Sequence, residues 1–389
     1  MSSTHSVDGH TLTLLRNGEE YFPRLIAAID GATRSIYLET YIYAADTTGR
    51  KVTDALQRAA KRGVVVHLLL DGYGSADLPQ YWIDEMRASG IALLWFRKII
   101  WRLSLRRYHL RRLHRKLVLV DERIAFVGGI NIINDVPGAT ISAPRLDYAI
   151  EIQGAAVEKI YASMRRLWML VSWTNFKRQR EHAKMQPVQS QAEQRHVIFL
   201  VRDNLRHRRD IESAYLAAIA AAQREIIIAN AYFLPGLRLR RALLDAARRG
   251  VHVTLLLQGR VEYRLQHYAT LALYDELLLA GIAIYEYRIS FLHAKVAVVD
   301  ECWATVGSSN IDPFSLWLAR EANMEVRDAG FAEALRASLL QEIAQGARLV
   351  SHSAWREHGL WTRLLMRASY AVVRFLTGIT GYMRSRDDV

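Results

Sequence analysis

Two copies of one short pattern carry the residues most able to do chemistry. The first copy has His114, Lys116 and Asp121, and the second has His293, Lys295 and Asp300, 179 residues further along the chain. Residues two apart on an extended segment point to the same face, so each copy presents an imidazole beside an ammonium. An anionic oxygen ligand such as phosphate satisfies both groups, because it takes positive charge and hydrogen bonds together.

The repeat continues beyond the aspartates in the same register. Gly128 and Asn131 of the first copy return as Gly307 and Asn310, and Ser308 follows the second of these glycines. Glycine lets a backbone approach its neighbours closely, and asparagine offers side-chain amide donors. The pattern therefore adds neutral donors to the two His–Lys pairs.

Lysine is scarce outside this pattern. The chain has eight lysines, and Lys295 is the only one after position 184, whereas arginine supplies nearly all the other positive charge. Because a compact ammonium and a planar guanidinium are not interchangeable, the motif lysines indicate a ligand that needs a point charge. The alternative is that histidine and lysine only cap strand ends on a solvated face, which a second copy in strict register disfavours.

Two imidazoles acting together can break and remake a phosphodiester. One attacks phosphorus, while the other protonates the leaving oxygen and then takes a proton from an incoming alcohol. Each copy supplies only one imidazole, so we expect a single composite site between two halves of the chain. Lys116, Lys295, Asn131 and Asn310 would hold the non-bridging oxygens, because phosphoryl transfer depends on positioning and electrostatics.

The double pattern, with its glycines and asparagines, resembles the phospholipase D superfamily and, within it, the bacterial cardiolipin synthases of the B type. The resemblance covers residues 10 to 345, approximately. It implies a phosphohistidine intermediate, no metal and no cofactor, and transfer of a phosphatidyl group to a hydroxyl of phosphatidylglycerol to form cardiolipin. It also implies that the full motif is catalytic, Asp121 and Asp300 included, with His114 as nucleophile and His293 as general acid and base. The symmetry of the repeat leaves the opposite assignment of the histidines open.

Each histidine also needs a carboxylate on its other ring nitrogen to fix its tautomer. Asp121 and Asp300 lie seven residues beyond their histidines, about 23 Å along an extended strand, so their spacing favours a structural role. Asp147 and Glu325 follow their histidines by 33 and 32 residues and are better candidates, since similar carboxylates occur in the family. Both could instead be ordinary surface carboxylates.

Composition limits the class of protein. The formal net charge of +13 and the pI near 9.9 favour polyanions or anionic membrane surfaces as partners. Cys302 is the only cysteine, so no intrachain disulfide can form, which fits a reducing cytoplasm; its strand-like neighbours predict a buried structural thiol. Residues 1–10 show no secretory signal and no run of 18 apolar residues occurs, so we expect no spanning helix.

Alternating strand and helix patterns predict an α/β fold built by internal duplication. The segments around Gly63 and Gly250, each preceded by arginine and followed by valine, are counterparts at the ends of predicted helices. We predict two homologous α/β/α sandwich halves, at residues 1–176 and 196–350, joined by a polar linker at 177–195. Residues 351–389 form a separate C-terminal amphipathic segment.

The substrate could be lipid or nucleic acid, because the superfamily contains nucleases. Residues 97–115 mix eight basic residues with aromatic and aliphatic ones, which suits nucleic acid, a solvated basic face, or insertion at an anionic bilayer. The predicted helix from Leu360 to Arg384 favours lipid. Its Arg363, Arg367 and Arg374 form a stripe on an otherwise apolar helix, as expected at a membrane interface; docking on the core or on a second subunit is the alternative.

We therefore expect a phosphatidyltransferase on the cytoplasmic side of a bacterial inner membrane, bound peripherally, with phosphatidylglycerol or phosphatidylethanolamine as donor and no nucleic-acid partner. Asn131, Asn310, Ser308, Asp147 and Glu325 are the expected substrate-site residues beside the motif. Two alternatives remain: a phospholipase D-like hydrolase or nuclease, and a non-catalytic protein that keeps the site as an anionic-lipid clamp.

Overall fold

The computed structural model describes residues 3–98, 111–136, 143–174, 196–203, 207–313, 315, 319–352, 355 and 359–382, with the backbone alone over 376–382. The predicted linker at 177–195 lies outside the described residues, as does most of the basic segment at 97–115.

The first half of the chain forms a mixed eight-stranded sheet with strand order β1-β2-β8-β7-β6-β3-β4-β5. Its strands are β1 (Thr4–Val7), β2 (His10–Arg16), β3 (Ser35–Thr40), β4 (Val65–Asp71), β5 (Ala92–Phe96), β6 (Lys116–Val120), β7 (Ile124–Gly128) and β8 (Tyr148–Gln153). Its helices are α1 (Asn17–Asp30), α2 (Thr47–Lys61), α3 (Gln80–Ala88) and α4 (Ala156–Thr174).

The second half forms another eight-stranded sheet, in the order β16-β12-β11-β10-β13-β14-β15-β9. Its strands are β9 (Val197–Arg202), β10 (Glu225–Asn230), β11 (His252–Gln258), β12 (Ala283–Tyr287), β13 (Lys295–Val299), β14 (Trp303–Gly307), β15 (Glu321–Val326) and β16 (Ala347–Leu349). Its helices are α5 (Asp210–Ala221), α6 (Leu237–Arg248), α7 (Arg264–Leu271), α8 (Tyr274–Leu279) and α9 (Ala329–Gly346), and α10 (Leu360–Tyr382) follows.

The two sheets repeat one topology, and the predicted α/β class is confirmed. The order β2-β8-β7-β6-β3-β4-β5 reappears as β9-β15-β14-β13-β10-β11-β12, with β1 and β16 as additions at opposite edges. β3, β4 and β5 run parallel, as do their counterparts, while the remaining strands pair antiparallel. Gly63 and Gly250 both have φ of +89°, so each ends its helix in a backbone conformation that glycine adopts without strain.

The hydrophobic core explains how the halves are held together. One apolar cluster belongs to the first half and a second to the second half, while a third contains residues of both sheets. Leu113, Leu146 and Leu292 lie in this shared cluster and are buried. Because these leucines adjoin His114, Asp147 and His293 in the chain, the shared core fixes the segments that carry the predicted site.

The C-terminal helix α10 is present where the sequence predicted a helix. Met366 and Val373 pack into the cluster of the second half and are 3% and 2% exposed. Trp361 and Phe375 are 83% and 68% exposed, so the helix docks on the core and still presents apolar side chains outward. Within the part of the chain that is described, no helix is both long enough and apolar enough to cross a membrane.

The prediction of a buried thiol is wrong. Cys302 is exposed, in the turn between β13 and β14. The turn between these antiparallel strands consists of residues 300–302 and projects from the sheet. The apolar strands before and after it suggested burial from the sequence alone.

Candidate active site

The two motif histidines lie where the halves meet. Each lies two residues before the lysine that begins a strand inside its sheet, β6 for His114 and β13 for His293. The His114 backbone N–H donates to the carbonyl of Arg320 at 3.0 Å, just before β15 of the other half. The His293 N–H donates likewise to the carbonyl of Leu146 at 2.8 Å, just before β8. These two backbone hydrogen bonds place His114 beside the start of β15 and His293 beside the start of β8, each in the opposite half.

The imidazole of His114 is oriented by the second half. Its Nδ1 lies 3.0 and 3.1 Å from the two carboxylate oxygens of Glu321 and 3.2 Å from the carbonyl oxygen of Ser308. The Ser308 hydroxyl donates to Glu321 at 2.5 Å and so fixes that carboxylate. Every neighbour of Nδ1 is an acceptor, so Nδ1 carries the proton and Nε2 keeps its lone pair.

The imidazole of His293 is oriented by the first half but has a different environment. Its Nδ1 lies 2.6 Å from Oδ2 of Asp147 and 2.9 Å from Nζ of Lys295. The backbone N–H of Tyr148 donates to the other Asp147 oxygen at 2.9 Å. Nδ1 of His293 thus faces an acceptor and a donor at once, which suits a ring that gains and loses protons during a reaction.

Both motif lysines are buried in the same site. The ammonium of Lys116 donates to the carbonyl of His114 at 2.6 Å, and that of Lys295 donates to the carbonyl of His293. Burial, together with the charge of Lys295, lowers the pKa of Lys116 to about 7, and burial lowers the pKa of Lys295 as well. Two buried ammoniums close together favour an anion between them, because an anion restores the stability of both charges.

Burial also disfavours charge on the acid–base groups. It lowers the pKa of His114 and, with the neighbouring ammoniums, lowers that of His293 well below the ordinary value. It raises the pKa of Asp147 to about 6. The perturbed groups occupy one cleft, an arrangement typical of catalytic sites.

The two predicted asparagines follow β7 and β14, and a third, unpredicted asparagine lies opposite Lys295. Asn131 accepts a hydrogen bond from the Ile42 backbone N–H at 3.1 Å. Oδ1 of Asn310 and Nδ2 of Asn230 are buried and have no hydrogen-bond partner among the residues that the structure describes. Asn230 ends β10 and stands opposite Lys295 in the sheet; a polar residue at the end of an Ile-rich strand was the sequence signal for it.

Two backbone supports were also missed. Oδ2 of Asp71, at the end of β4, accepts from the Leu113 N–H at 2.8 Å. Oε1 of Gln258, at the end of β11, accepts from the Leu292 N–H at 3.1 Å. Both bonds hold the residue before a motif histidine, so the two strand ends perform equivalent tasks with different chemistry.

The predicted carboxylate partners need correction. Glu325 is wrong as the partner of His293, because its carboxylate bonds Nε of Arg327 at 2.7 Å. Asp147 was matched by spacing to His114 but pairs with His293, and Glu321 takes the position beside His114.

The strand register explains this error. Gly128 pairs with Ala149 in the first sheet, and Gly307 pairs with Asn323 in the second. From asparagine to carboxylate the first half needs 16 residues, 131 to 147, and the second only 11, 310 to 321. A constant shift between the halves therefore selects the wrong acidic residue.

Asp121 and Asp300 do not join the imidazoles. The backbone N–H groups of residues 33–35 donate to the Asp121 carboxylate, and those of residues 223–225 donate to Asp300. Both aspartates lie at the far ends of β6 and β13 from the histidines. Their geometry is structural, as the spacing indicated, and contradicts the catalytic role that the motif implied.

The described residues contain no group of three His, Cys, Asp or Glu side chains arranged to hold a metal ion. The ring of Tyr41 lies 5.0 Å from that of His114, and the Tyr232 hydroxyl donates to Glu262 at 2.6 Å.

Comparison with known proteins gives a consistent picture. A family model described as "Cardiolipin synthase, PLD-like domain" matches residues 25–168 and 215–343. Cardiolipin synthase B of Salmonella typhimurium strain LT2 is 38% identical over 385 residues, and that of Escherichia coli K12 is 36% identical over 386. Each alignment covers 97% of this chain and 91% of the relative.

Among solved structures, phosphatidylserine synthase of Haemophilus influenzae matches with a TM-score of 0.69 at 13% identity, over 95% of this chain and 94% of that one. At this identity the match establishes the shared fold alone. It covers both sheets, which agrees with the duplicated topology.

Proposed function

Because the chain belongs to the phospholipase D-like cardiolipin synthase family, we propose that it is a phosphatidyltransferase that forms cardiolipin. One observation carries the mechanism: two buried His–Lys pairs face each other, and each histidine is oriented by a carboxylate from the opposite half. This arrangement supplies two imidazoles at one phosphate, which neither half could supply alone.

The first step loads the phosphatidyl group. Nε2 of His114 attacks phosphorus of the donor lipid, a P–N bond forms, and the bond from phosphorus to the head-group oxygen breaks. Once the anionic phosphate of the donor lies between the two ammoniums and offsets their charge, His293 binds a proton. Its imidazolium then gives this proton to the leaving oxygen, so the head group leaves as an alcohol. The acceptor-only surroundings of Nδ1 in His114 leave its Nε2 ready to attack.

The second step passes the group on. A hydroxyl of phosphatidylglycerol gives its proton to His293, its oxygen attacks phosphorus, and the P–N bond breaks. Cardiolipin leaves, His114 is neutral again, and His293 is protonated for the next cycle. Lys116 and Lys295 stabilise the charge on the non-bridging oxygens throughout.

We extend the proposal to the way the protein meets its substrate. Residues 1–176 and 196–350 form the two halves, 177–195 links them, and 351–389 carries the helix that contacts the membrane. The outward side of α10 combines Trp361, Leu364, Leu365 and Phe375, which suits the boundary between lipid head groups and acyl chains. The high positive charge favours the anionic cytoplasmic surface of the inner membrane.

The test is incubation of the purified protein with vesicles of labelled phosphatidylglycerol, with and without EDTA, beside a His114→Ala variant. We expect cardiolipin in both conditions from the wild type and none from the variant. A second set of vesicles containing labelled phosphatidylethanolamine and unlabelled phosphatidylglycerol identifies the donor.

A Glu325→Gln variant is the matched control, because its carboxylate lies outside the site and pairs with Arg327. Phosphatidic acid as the sole product would replace transfer by hydrolysis. No lipid product together with cleavage of single-stranded DNA would replace it by a nuclease.

A further inference from the structure

Two arginines beside the site form no ion pair with any carboxylate that the structure describes. The first, Arg112, precedes His114 by two residues, so on an extended segment its side chain points to the same face. Its guanidinium lies over the ring of Tyr73, 4.9 Å from the centroid. Its Nη1 is buried and has no hydrogen-bond partner among the described residues, so this donor is unsatisfied.

The second, Arg145, has the same relation to the other histidine pair. It precedes Asp147 by two residues, and its guanidinium lies over the ring of Phe291, which itself precedes His293 by two residues. Its Nε is buried and has no hydrogen-bond partner within the described part of the chain. The backbone N–H of Leu146 donates to the carbonyl of Phe291 at 3.0 Å, so Arg145 sits beside one of the two bridges between the halves.

Both arginines lie beside the segments that carry the histidines, Arg112 two residues before His114 and Arg145 over the ring of Phe291, two residues before His293. The pKa of Tyr263 is raised by burial and by the nearby Glu262 and Tyr73, and it is lowered by Arg145. Tyr263 therefore lies near both Arg145 and the ring on which Arg112 rests. Arg145 also lies close enough to His293 to lower its pKa, after burial and the lysines.

Two other arginines of the described interior and rim have hydrogen-bond partners. Arg115 pairs with Glu39 through two nitrogens and also donates to Ser163. Arg260 donates to the backbone carbonyls of Arg288 and Ile289. In contrast, no described carboxylate forms an ion pair with Arg112 or Arg145. A partly buried guanidinium without an anion is costly to the fold, and its fork geometry matches phosphate.

We propose that Arg112 and Arg145 bind the phosphate of the acceptor phospholipid, as a second anion subsite beside the His–Lys centre. The inference rests on the proposed function. Joining two phosphatidyl groups requires the cleft to hold two anionic phosphates at once, one on His114 and one belonging to the incoming lipid. Two residues of strand span about 6.6 Å, a separation that the glycerol bridge between the phosphates of cardiolipin can cover.

The subsite makes a specific prediction about acceptors. Water and glycerol carry no phosphate and need neither arginine, whereas phosphatidylglycerol uses both. Arg112→Gln and Arg145→Gln should therefore each lower transfer to phosphatidylglycerol about tenfold to a hundredfold, the usual scale for one charge-assisted hydrogen bond. The loss should appear as a higher KM for the acceptor, while transfer to glycerol and hydrolysis keep wild-type rates.

The experiment uses the full chain, one labelled phosphatidylethanolamine donor and three acceptors: phosphatidylglycerol, glycerol and water. Arg264→Gln is the matched control, an exposed arginine at the start of α7 beside the same rim. Thermal unfolding of every variant shows whether the fold is retained.

The outcomes separate the two proposals. Selective loss of transfer to phosphatidylglycerol supports the subsite. Equal loss of all three reactions in a folded variant places the arginines on the donor phosphate and overturns it. If the wild-type protein makes cardiolipin from neither labelled phosphatidylethanolamine nor labelled phosphatidylglycerol, the proposed function fails and the subsite fails with it.

Discussion

The two imidazoles have different neighbours although equivalent strands carry them. Nδ1 of His114 faces only acceptors, Glu321 and the Ser308 carbonyl, whereas Nδ1 of His293 faces the acceptor Asp147 and the donor Lys295. Both carboxylates come from the opposite half, so the site exists only when the halves are docked. Duplication supplied the symmetry of the site, and the neighbours of Nδ1 distinguish the roles of its two histidines.

This difference between the neighbours of Nδ1 bears on which histidine is the nucleophile and which is the general acid and base. A nucleophile needs one fixed tautomer with a free lone pair on Nε2, which acceptors around Nδ1 secure. A proton carrier must change its charge within the cycle, and a ring between a carboxylate and an ammonium has a stabilising partner in either state. The environments therefore favour His114 as nucleophile and His293 as acid and base.

The residues around the two His–Lys pairs also differ, and more of them are charged near His114. Behind His114, the buried carboxylate of Asp71 supports the backbone, and burial raises its pKa. Behind His293, the neutral amide of Gln258 does this. The buried Arg115–Glu39 ion pair has two alanines, Ala294 and Ala229, at the equivalent places of the second half. The first half thus keeps buried charges around its histidine that the second half lacks.

Replacing each histidine by alanine is the strongest way to break the comparison. Both variants should lose transfer between lipids by about 10³-fold or more, the scale of nucleophilic and acid–base steps. With a p-nitrophenyl phosphodiester, whose leaving group needs no proton, His293→Ala should still form the phosphoenzyme and His114→Ala should not. Rapid acid-free trapping of labelled enzyme measures this.

The reverse pattern, with phosphoenzyme formed only by His114→Ala, would exchange the two roles. Circular dichroism and thermal unfolding serve as the control that both variants are folded. Equal trapping in both variants would show that neither ring is the nucleophile.

Neutralising the two carboxylates sharpens the comparison. Asp147→Asn should reduce kcat by about 10³-fold or more, because an amide beside Nδ1 of His293 no longer stabilises the imidazolium. Glu321→Gln should cost less, about 10²-fold, because the Ser308 carbonyl still accepts from Nδ1 of His114. Single-turnover rates with saturating lipid measure the two losses.

Glu325→Gln is the matched control for this pair, since that carboxylate lies on the same strand as Glu321 but bonds Arg327. Its kcat should stay near that of the wild type. A larger loss for Glu321→Gln than for Asp147→Asn would remove the asymmetry on which the roles of the histidines rest.

The duplicated fold and the shared site could be predicted from the sequence, because the same pattern of residues occurs in both halves. Histidine and lysine two apart before a Val- and Leu-rich run predicted the strand starts at β6 and β13, and the structure places both pairs together. The single imidazole in each copy predicted that the halves must share a site. These inferences depend on the spacing of residues within one short segment, which the sequence shows directly.

The carboxylates could not be assigned in this way. Which acidic residue meets which histidine depends on strand register and on loops of unequal length, and only the folded sheets fix these. Asp147 and Glu321 sit at equivalent places although they are offset differently from their histidines. Asp71 and Asn230 escaped notice for a related reason: each is one polar residue at the end of an apolar strand, and its partner is remote in sequence.

The lysines provide a pH test of the first pair. Burial lowers the pKa of Lys116 to about 7, so its ammonium is present below that pH and lost above it. We expect kcat/KM to fall above about pH 7, by about tenfold per unit. The corresponding fall in kcat should begin at a higher pH, because a bound anionic phosphate stabilises the Lys116 ammonium.

Lys116→Arg is the informative variant, since guanidinium stays charged across this range. It should be less active, and its kcat/KM should lack the fall that sets in near pH 7. A fall at lower pH, from loss of the His293 proton, should remain. An unchanged alkaline limb in this variant would assign that limb to another group. Lys159→Arg, on the surface of α4, is the matched control.

The smallest effect concerns the motif aspartates, which the two halves use alike. Burial raises the pKa of Asp121, but bonds from the backbone N–H groups of residues 33–35 outweigh it, and the net pKa is lowered. A lowered pKa stabilises the fold above the ordinary pKa of aspartate, and this stability is lost as the pH falls through the pKa of the folded state.

Because the carboxylate is partly exposed, Asp121→Asn should lower the free energy of unfolding by only about 1 kcal/mol at pH 7, with kcat/KM unchanged. Urea unfolding at pH 7 and pH 3 measures this, and the wild type and variant should converge at the lower pH. A large fall in kcat/KM without loss of stability would instead return Asp121 to the chemistry and make the motif catalytic along its whole length.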